Sequence, residues 1–298
     1  MNKSSPPYFP TTLPIGTIGD LLAGCASMLE SEGVAEPQRE AREIVAAVLD
    51  VPKFWAAANS VADASPDVAK AVIKAAMRRA MGAPLAYAVG RASFRHLTLE
   101  VDERVLIPRV ETEILVERVL ERCDAKARRI ADIGTGSGAI ALSLAFEGEF
   151  ARVFATDISL DAIHVAAANA ASLGKLLKSP VEFRHGSLLA PLKREMLHAI
   201  VCNPPYVSFA ELPDLPADVR DWEPSLALLS PQDGLAMTRE IIRQAPQHLV
   251  SGGLLALEVD ARRAGTVAEM VSVDERYAAV EVLLDLTGRE RFVFARRV

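Results

Sequence analysis

Cysteine is scarce in this 298-residue chain. Cys25, Cys123 and Cys202 are odd in number and far apart, which excludes a disulfide framework and any Cys-x-x-Cys zinc spacing. The five histidines form no His-x-x-x-His pattern, so no metal site is expected. Long apolar runs are absent too: none approaches the roughly 18 residues that a membrane span needs. The opening segment "MNKSSPPYFPTTLPIG" lacks an apolar stretch and does not read as a signal peptide. Nor is there an excess of positive charge. The formal net charge is -6, which argues against nucleic acid as a direct substrate, although a local basic patch stays open. The protein is expected in the cytoplasm, reduced, metal-free and off the membrane.

What is present is an ordinary globular composition, 50% hydrophobic and 24% charged. The length suggests about two domains at roughly 150 residues each. Residues 1–16 read as a flexible tail. From 17 to 84 the apolar period is helical. Ile18, Leu21, Leu22, Cys25, Met28 and Leu29 share one face, a second helix starts near Pro37, and a third starts at Ser65-Pro66, an N-cap followed by a first-turn proline. From 85 to 108 the period shortens. Leu97/Leu99/Val101 and Val105/Ile107 alternate around polar Asp102-Glu103-Arg104, which predicts a β-hairpin linker. From 109 to 298 strands alternate with helices. Strands are predicted at Arg129–Ile133, Arg152–Thr156, Val181–Arg184, Ala199–Cys202 and Leu254–Val259, and the chain ends in two strands about a Thr287-Gly288 turn. The fold class is therefore α/β: a Rossmann-like parallel sheet with a C-terminal antiparallel hairpin, preceded by a small helical domain.

"RIADIGTGSGAIALSLA" is a strand, a glycine turn and a helix. Gly134, Gly136 and Gly138 permit a tight turn and close approach of a ligand to a helix N-terminus. Asp157, ending the next strand, suits a ribose diol. The spacing alone leaves open a dinucleotide or S-adenosylmethionine (SAM).

"IVCNPPYV" then runs an apolar strand into two prolines. In a doubly wound sheet the end of this strand lies beside the glycine loop. The lone pair of a planar amide or aromatic amine nitrogen is delocalised and a poor nucleophile. Two acceptors aimed at its N–H protons would orient it, and the Asn203 side-chain oxygen and the Pro204 carbonyl can be those two. Proline fixes φ and so holds that carbonyl rigidly. Tyr206 can stack on a flat target. Catalysis is then mostly positioning and fixed dipoles.

These residues, with "PLAYAVGRASF", "LIPRVETE", "DIGTGSGAIALSLA", "ATDIS", "NPPYV", "VRDWEPSLAL", "DGL", "GGLLALEV" and "DLTGRERFVFARR", carry a resemblance over nearly the whole chain. The sequence resembles the PrmC/HemK family of peptide chain release factor glutamine N(5)-methyltransferases. The resemblance implies methylation of the side-chain amide of the glutamine in a Gly-Gly-Gln motif of release factors, in translation termination. SAM is the implied donor and S-adenosyl-L-homocysteine the product, with no metal. Carried over, Asp132, Gly134, Thr135, Gly136, Gly138, Asp157, Ile158, Ser187, Leu188 and Asn203 would form the cofactor site. Asn203, Pro204 and Tyr206 would be catalytic, and Asn203, Pro204, Pro205, Tyr206 and Phe94 would hold the substrate. The helical domain and hairpin would help hold the release factor, and a monomer is the simpler expectation. Three readings stay open beside it: methylation of a glutamine in another translation protein such as a ribosomal protein, an adenine-amine nucleic acid methylase, and a non-catalytic SAM-binding protein.

The chain departs from the family pattern at several points. Val110 replaces a proline, Ser187 an acid, Asp260 a glycine, and Arg95-His96 stand in place of an aromatic-glycine pair. Of the remaining candidates, His96 reads as a solvated hairpin residue and Cys202 as a small buried hydrophobe. Asp221 and Glu223 read as loop residues able to help close the site. Arg78 and Arg79 read as a solvated helix end, with docking of a protein factor as the alternative.

Overall fold

The computed structural model describes residues 16–123 and 128–298; the expected N-terminal tail lies almost wholly outside them. The chain divides into two compact units after Arg91.

The first unit is helical: α1 (Ile18–Ser31), α2 (Pro37–Leu49), α3 (Trp55–Ala58), α4 (Pro66–Ala80) and α5 (Leu85–Val89). Its starts follow from local chemistry. Thr17 and Asp20 form a reciprocal capping box on α1, and Ser65 accepts from Val68 N at 3.3 Å ahead of Pro66, so orphan N–H groups are satisfied. Leu21, Cys25, Leu29, Ile44, Val45 and Val72 are fully buried where these helices meet. Arg79 is not a solvated helix end. Its guanidinium holds both Glu40 oxygens, at 2.5 and 3.0 Å, and so ties α4 to α2.

A hairpin, β1 (Arg91–Phe94) and β2 (Leu97–Glu100), begins at the last residue of the first unit and opens the second. The strands lie earlier than the alternation suggests. Asp102 turns the chain out of strand geometry: its side chain accepts from Arg104 N at 3.0 Å and its carbonyl from Val105 N at 3.1 Å. The residues from 85 to 89, expected in the hairpin segment, form α5 instead. The β1–β2 turn uses Arg95 at φ 51. A non-glycine residue there is strained, and Glu147 offsets the strain by gripping the Arg95 guanidinium twice at 2.6 Å.

There follow α6 (Val110–Cys123), β3 (Arg129–Ile133), α7 (Ala139–Glu147), β4 (Arg152–Asp157), α8 (Leu160–Leu173), β5 (Val181–His185) and β6 (Leu197–Cys202). Then come α9 (Ala217–Trp222), α10 (Ser225–Leu228), α11 (Ala236–Gln244), β7 (Leu249–Glu258), α12 (Ala264–Ser272), β8 (Tyr277–Leu284) and β9 (Glu290–Arg297). The sheet order is β5-β4-β3-β6-β7-β9-β8. The first five strands are parallel, and β9 and β8 are antiparallel additions. Both sheet faces are covered, so the central strands are apolar on both sides. Ile130, Val153, Val201 and Leu254 face one core with Leu115 and Leu142. Their neighbours Ala131, Phe154, Ile200 and Leu255 face the other with Ile241 and Val267.

The order reverses between β3 and β6, where Ile133 and Cys202 are register partners. The two segments that leave these strands, the glycine turn and Asn203-Pro204-Pro205-Tyr206, therefore emerge side by side. In an open α/β sheet this is where a ligand crevice forms.

Candidate active site

A cleft of about 570 Å³ opens at this point, within the size range of sites for drug-sized ligands. One wall is the glycine turn. Gly134 and Gly136 have φ of 74° and 55°, and a Cβ at either would meet nothing within 4 Å. Their backbone thus borders open space rather than packed protein. Gly138 is constrained differently. At φ 87° its Cβ would lie 2.9 Å from Leu142 and 3.2 Å from Ala166, so it sets the approach of α7 to α8.

Asp157 stands between turn and strand end. It accepts from Gly136 N at 2.9 Å and from Ser159 N at 2.8 Å. Burial still holds its carboxyl above the usual range. Ile158, Ser187 and Leu188 continue the wall. Leu188 is at φ 49°, and its carbonyl accepts from the Thr156 hydroxyl at 3.2 Å.

Asp132 and Thr135 do not line the cleft. They brace the turn from beneath: Thr135 Oγ1 donates to Asp132 Oδ2 at 2.7 Å, and Ala141 N donates to the same oxygen at 3.2 Å. Asp132 is fully buried, which pushes its carboxyl up to about 7.

Asn203, Pro204 and Pro205 line the same cleft beside the glycine turn. The Asn203 Nδ2 group donates to Thr112 Oγ1 at 3.2 Å, and Thr112 Oγ1 donates to Glu258 Oε2 at 2.7 Å. Both Thr112 and Glu258 are buried. Tyr206 is half-buried and is not part of the cleft lining; burial pushes its phenol up to about 12. Its backbone is closely backed. A Cβ on Gly234, at φ 86°, would lie 2.3 Å from the Tyr206 carbonyl oxygen. The Asp-Gly-Leu segment is thus packed closely against the backbone that follows Asn203.

Phe94, expected beside the target, is 0% exposed and sits in the core with Leu97, Leu99 and Leu115. It packs the hairpin onto that core and is not among the residues that line the cleft.

Sequence reasoning missed two further walls. Arg104, Val105 and Leu106 contribute one, and Pro224, Ser225, Leu226, Ala227 and Leu229 the other. The second is anchored by Glu223, whose buried carboxylate pairs with Arg109 Nη2 at 2.6 Å. Asp221, by contrast, is exposed and pairs with Arg220. The quoted segments "LIPRVETE" and "VRDWEPSLAL" are thus two halves of one clamp. The Thr112–Glu258 pair was also missed, although a lone acid ending the apolar run "LLALE" was a signal for it.

The comparisons with known proteins follow the same division of the chain. Residues 110–213 match the family model "Methyltransferase small domain", and residues 20–90 match "PrmC N-terminal domain". A "Release factor glutamine methyltransferase" of Moorella thermoacetica is 42% identical over 282 residues, covering 94% of this chain and 99% of that protein. One of the same description from Deinococcus radiodurans is 38% identical, covering 93% and 98%. The chain belongs to the release factor glutamine methyltransferase family. It carries that family's SAM-dependent methyltransferase domain. Among solved structures, the hMettl16 catalytic domain in complex with MAT2A 3'UTR hairpin 1 has a TM-score of 0.55 at 18% identity, covering 75% of this chain and 80% of that one. This likeness is one of fold.

Seen against the release factor glutamine methyltransferase pattern, most of the departures fall outside the cleft. Val110 is the first residue of α6 and is 61% exposed, a place where proline is only one good choice. Asp260 pairs with Arg262 at 2.9 Å and does not line the cleft. Arg95 replaces a turn residue and is held by Glu147. His96 is largely exposed and stacks on Phe146. Ser187 alone lies on the wall itself. Cys202 is buried and donates to Ile133 O at 2.9 Å, as a strand-end hydrophobe would.

Proposed function

We propose that this chain transfers a methyl group from SAM to the side-chain amide nitrogen of the glutamine in the Gly-Gly-Gln motif of peptide chain release factors. The observation that carries this reading is that Asn203, Pro204 and Pro205 line one cleft together with Gly134, Gly136 and Asp157. The name of its relatives, release factor glutamine methyltransferase, supplies the substrate class.

The residues fit SAM. The glycine turn offers bare backbone to a ligand, since no Cβ fills the space at Gly134 or Gly136. The Asp157 carboxylate keeps lone pairs free beyond its two backbone donors and suits a ribose diol. Ile158 and Leu188 supply apolar walls for a purine, with the Ser187 hydroxyl beside them. When bound, SAM supplies a sulfonium-activated methyl group that leaves behind a neutral thioether.

The chain's own contribution is positional. Asn203 Oδ1 and the Pro204 carbonyl each accept one N–H of the glutamine amide and so aim its nitrogen into the cleft. Both acceptors also favour the positive charge that develops on that nitrogen during attack. Pro204 and Pro205 hold their backbone without a conformational search. One amide proton is lost to solvent after the new C–N bond forms. The Arg109–Glu223 clamp holds the Pro224–Leu229 wall over the site and limits water entry. The helical segment 17–84, with the hairpin segment 85–108, helps hold the release factor, and the protein works in the cytoplasm as a monomer.

Methyl transfer to purified release factor tests the reading. Asn203→Ala is expected to lower kcat by about 10²–10³ while SAM affinity stays within a few-fold, as losing one fixed hydrogen-bonding group does elsewhere. An unchanged kcat would refute the role of Asn203.

A further inference from the structure

We propose that Thr112 and Glu258 are positioning residues that set which way round the Asn203 amide stands. The inference rests on the function proposed above. An asparagine amide has two ends of nearly the same shape, one an acceptor and one a donor. Only the oxygen end can accept an N–H from a substrate amide. If the group were turned over, its NH₂ would meet the substrate NH₂, and no hydrogen bond would form.

The buried chain behind Asn203 decides between the two. Thr112 Oγ1 lies 2.7 Å from Glu258 Oε2 and 3.2 Å from Asn203 Nδ2. A hydroxyl has one proton. Once ionised, above about pH 7, the Glu258 carboxylate can only accept, so that proton is committed to Glu258, and what Thr112 shows Asn203 is a lone pair. Lone pairs repel a carbonyl oxygen and attract an N–H. The Nδ2 end therefore turns inward, and Oδ1 faces the cleft.

The geometry behind this is fixed by the sheet. Glu258 ends β7, whose Leu257 is the register partner of Cys202, the residue before Asn203. Thr112 comes from the first turn of α6. Glu258 is 1% exposed. Arg291 and Arg109 lie near enough to favour its charge, yet burial still holds its carboxyl well above the usual range, so the arrangement is a poor stabiliser of the fold. Its useful product is the polarity of the chain.

The test compares Thr112→Val, Thr112→Ser and Glu258→Gln in methyl transfer to release factor, with SAM affinity measured by calorimetry. Thr112→Val keeps the shape and loses the hydroxyl. Its kcat is expected to fall about 10- to 100-fold, with SAM affinity and KM for release factor within about threefold. Thr112→Ser, which restores the hydroxyl, is expected to stay within about threefold of the parent protein. Glu258→Gln can present either a carbonyl or an NH₂ to Thr112, so it is expected to lose kcat to an intermediate degree. Combined with Thr112→Val, it is expected to add nothing further, because both act through one chain.

A Thr112→Val protein with undiminished kcat, or a Thr112→Ser protein as slow as Thr112→Val, would overturn the inference and leave the proposed function standing. Should Thr112→Val fail to fold, Glu258→Gln and Thr112→Ser carry the same test: full kcat in Glu258→Gln overturns the inference. A parent protein that binds SAM but leaves release factor unmethylated overturns the function and this inference together.

Discussion

Gly234→Ala is a change outside the cleft that should act on the chemistry. The alanine Cβ would lie 2.3 Å from the Tyr206 carbonyl oxygen and 3.1 Å from its carbonyl carbon. Ordinary contact begins near 3.4 Å, so the two segments must part by about 1 Å. Tyr206 cannot simply absorb the shift, because the next residue is pinned on its other side. Val207 N donates to Leu228 O at 3.0 Å, and Ser230 N donates to Val207 O at 2.9 Å. Displacement must then reach Pro204 and Asn203. A misplacement of about 1 Å can cost about 10²-fold in rate. Stability should fall as well, by about 1–2 kcal/mol for a left-handed alanine and a further 1–3 kcal/mol for overpacking. Gly252→Ala is the control: its φ is 74° and a Cβ there meets nothing within 4 Å, so it carries the backbone strain alone. Thermal unfolding, SAM calorimetry and initial rates on release factor read the comparison. Gly234→Ala is expected to bind SAM with kcat down about 10²-fold, and Gly252→Ala to keep its kcat. A folded Gly234→Ala protein with the parent kcat would refute the claim that this contact sets the position of the Asn-Pro-Pro-Tyr segment.

Three further outcomes are expected. Asp132 and Glu258 are both buried carboxyls pushed up to about 7. Between about pH 4 and 7 the folded chain therefore binds protons that the unfolded chain has released, and stability falls as pH rises through that window, by up to about 1.4 kcal/mol per pH unit for each group. Asp132→Asn should remove roughly half of that slope in chemical denaturation; an unaltered slope would show that Asp132 does not titrate there. Arg109→Met strands the buried Glu223 carboxylate and should cost roughly 3 kcal/mol, much of it recovered in the Arg109→Met/Glu223→Met double variant; equal melting temperatures for the two proteins would contradict the clamp. Removal of the residues before Ala92 should weaken release factor use more than SAM binding, measured by KM and calorimetry, and equal losses would mean that the helical unit has only a structural role.

Much of this arrangement was legible in the sequence because it rests on local signals. The apolar run from Arg129 to Ile133 ends at a glycine and is a strand with those bounds. Pro37, Ser65 and Pro66 mark helix starts by chemistry that acts over three residues. Asn203 beside the glycine turn followed from strand order alone. What stayed hidden depends on contacts far apart in the chain. The hairpin turn at Arg95 is held by residues distant in the chain: Glu113 Oε1 accepts from Arg95 N at 3.1 Å, and Glu147, 52 residues on, holds its guanidinium. Glu223 reads as a loop acid until Arg109, 114 residues earlier, is placed against it. Glu258 stands out as an acid that ends an apolar run, but Thr112 is 146 residues away, and nothing in the sequence near Glu258 names it as the partner.

Peptide mass spectrometry of release factor incubated with this protein and SAM tests the central claim most directly. The account predicts one added methyl group, on the glutamine of the Gly-Gly-Gln motif, and its loss with Asn203→Ala. Release factor left unmodified by a protein that binds SAM, or a methyl group on any other residue, would contradict it.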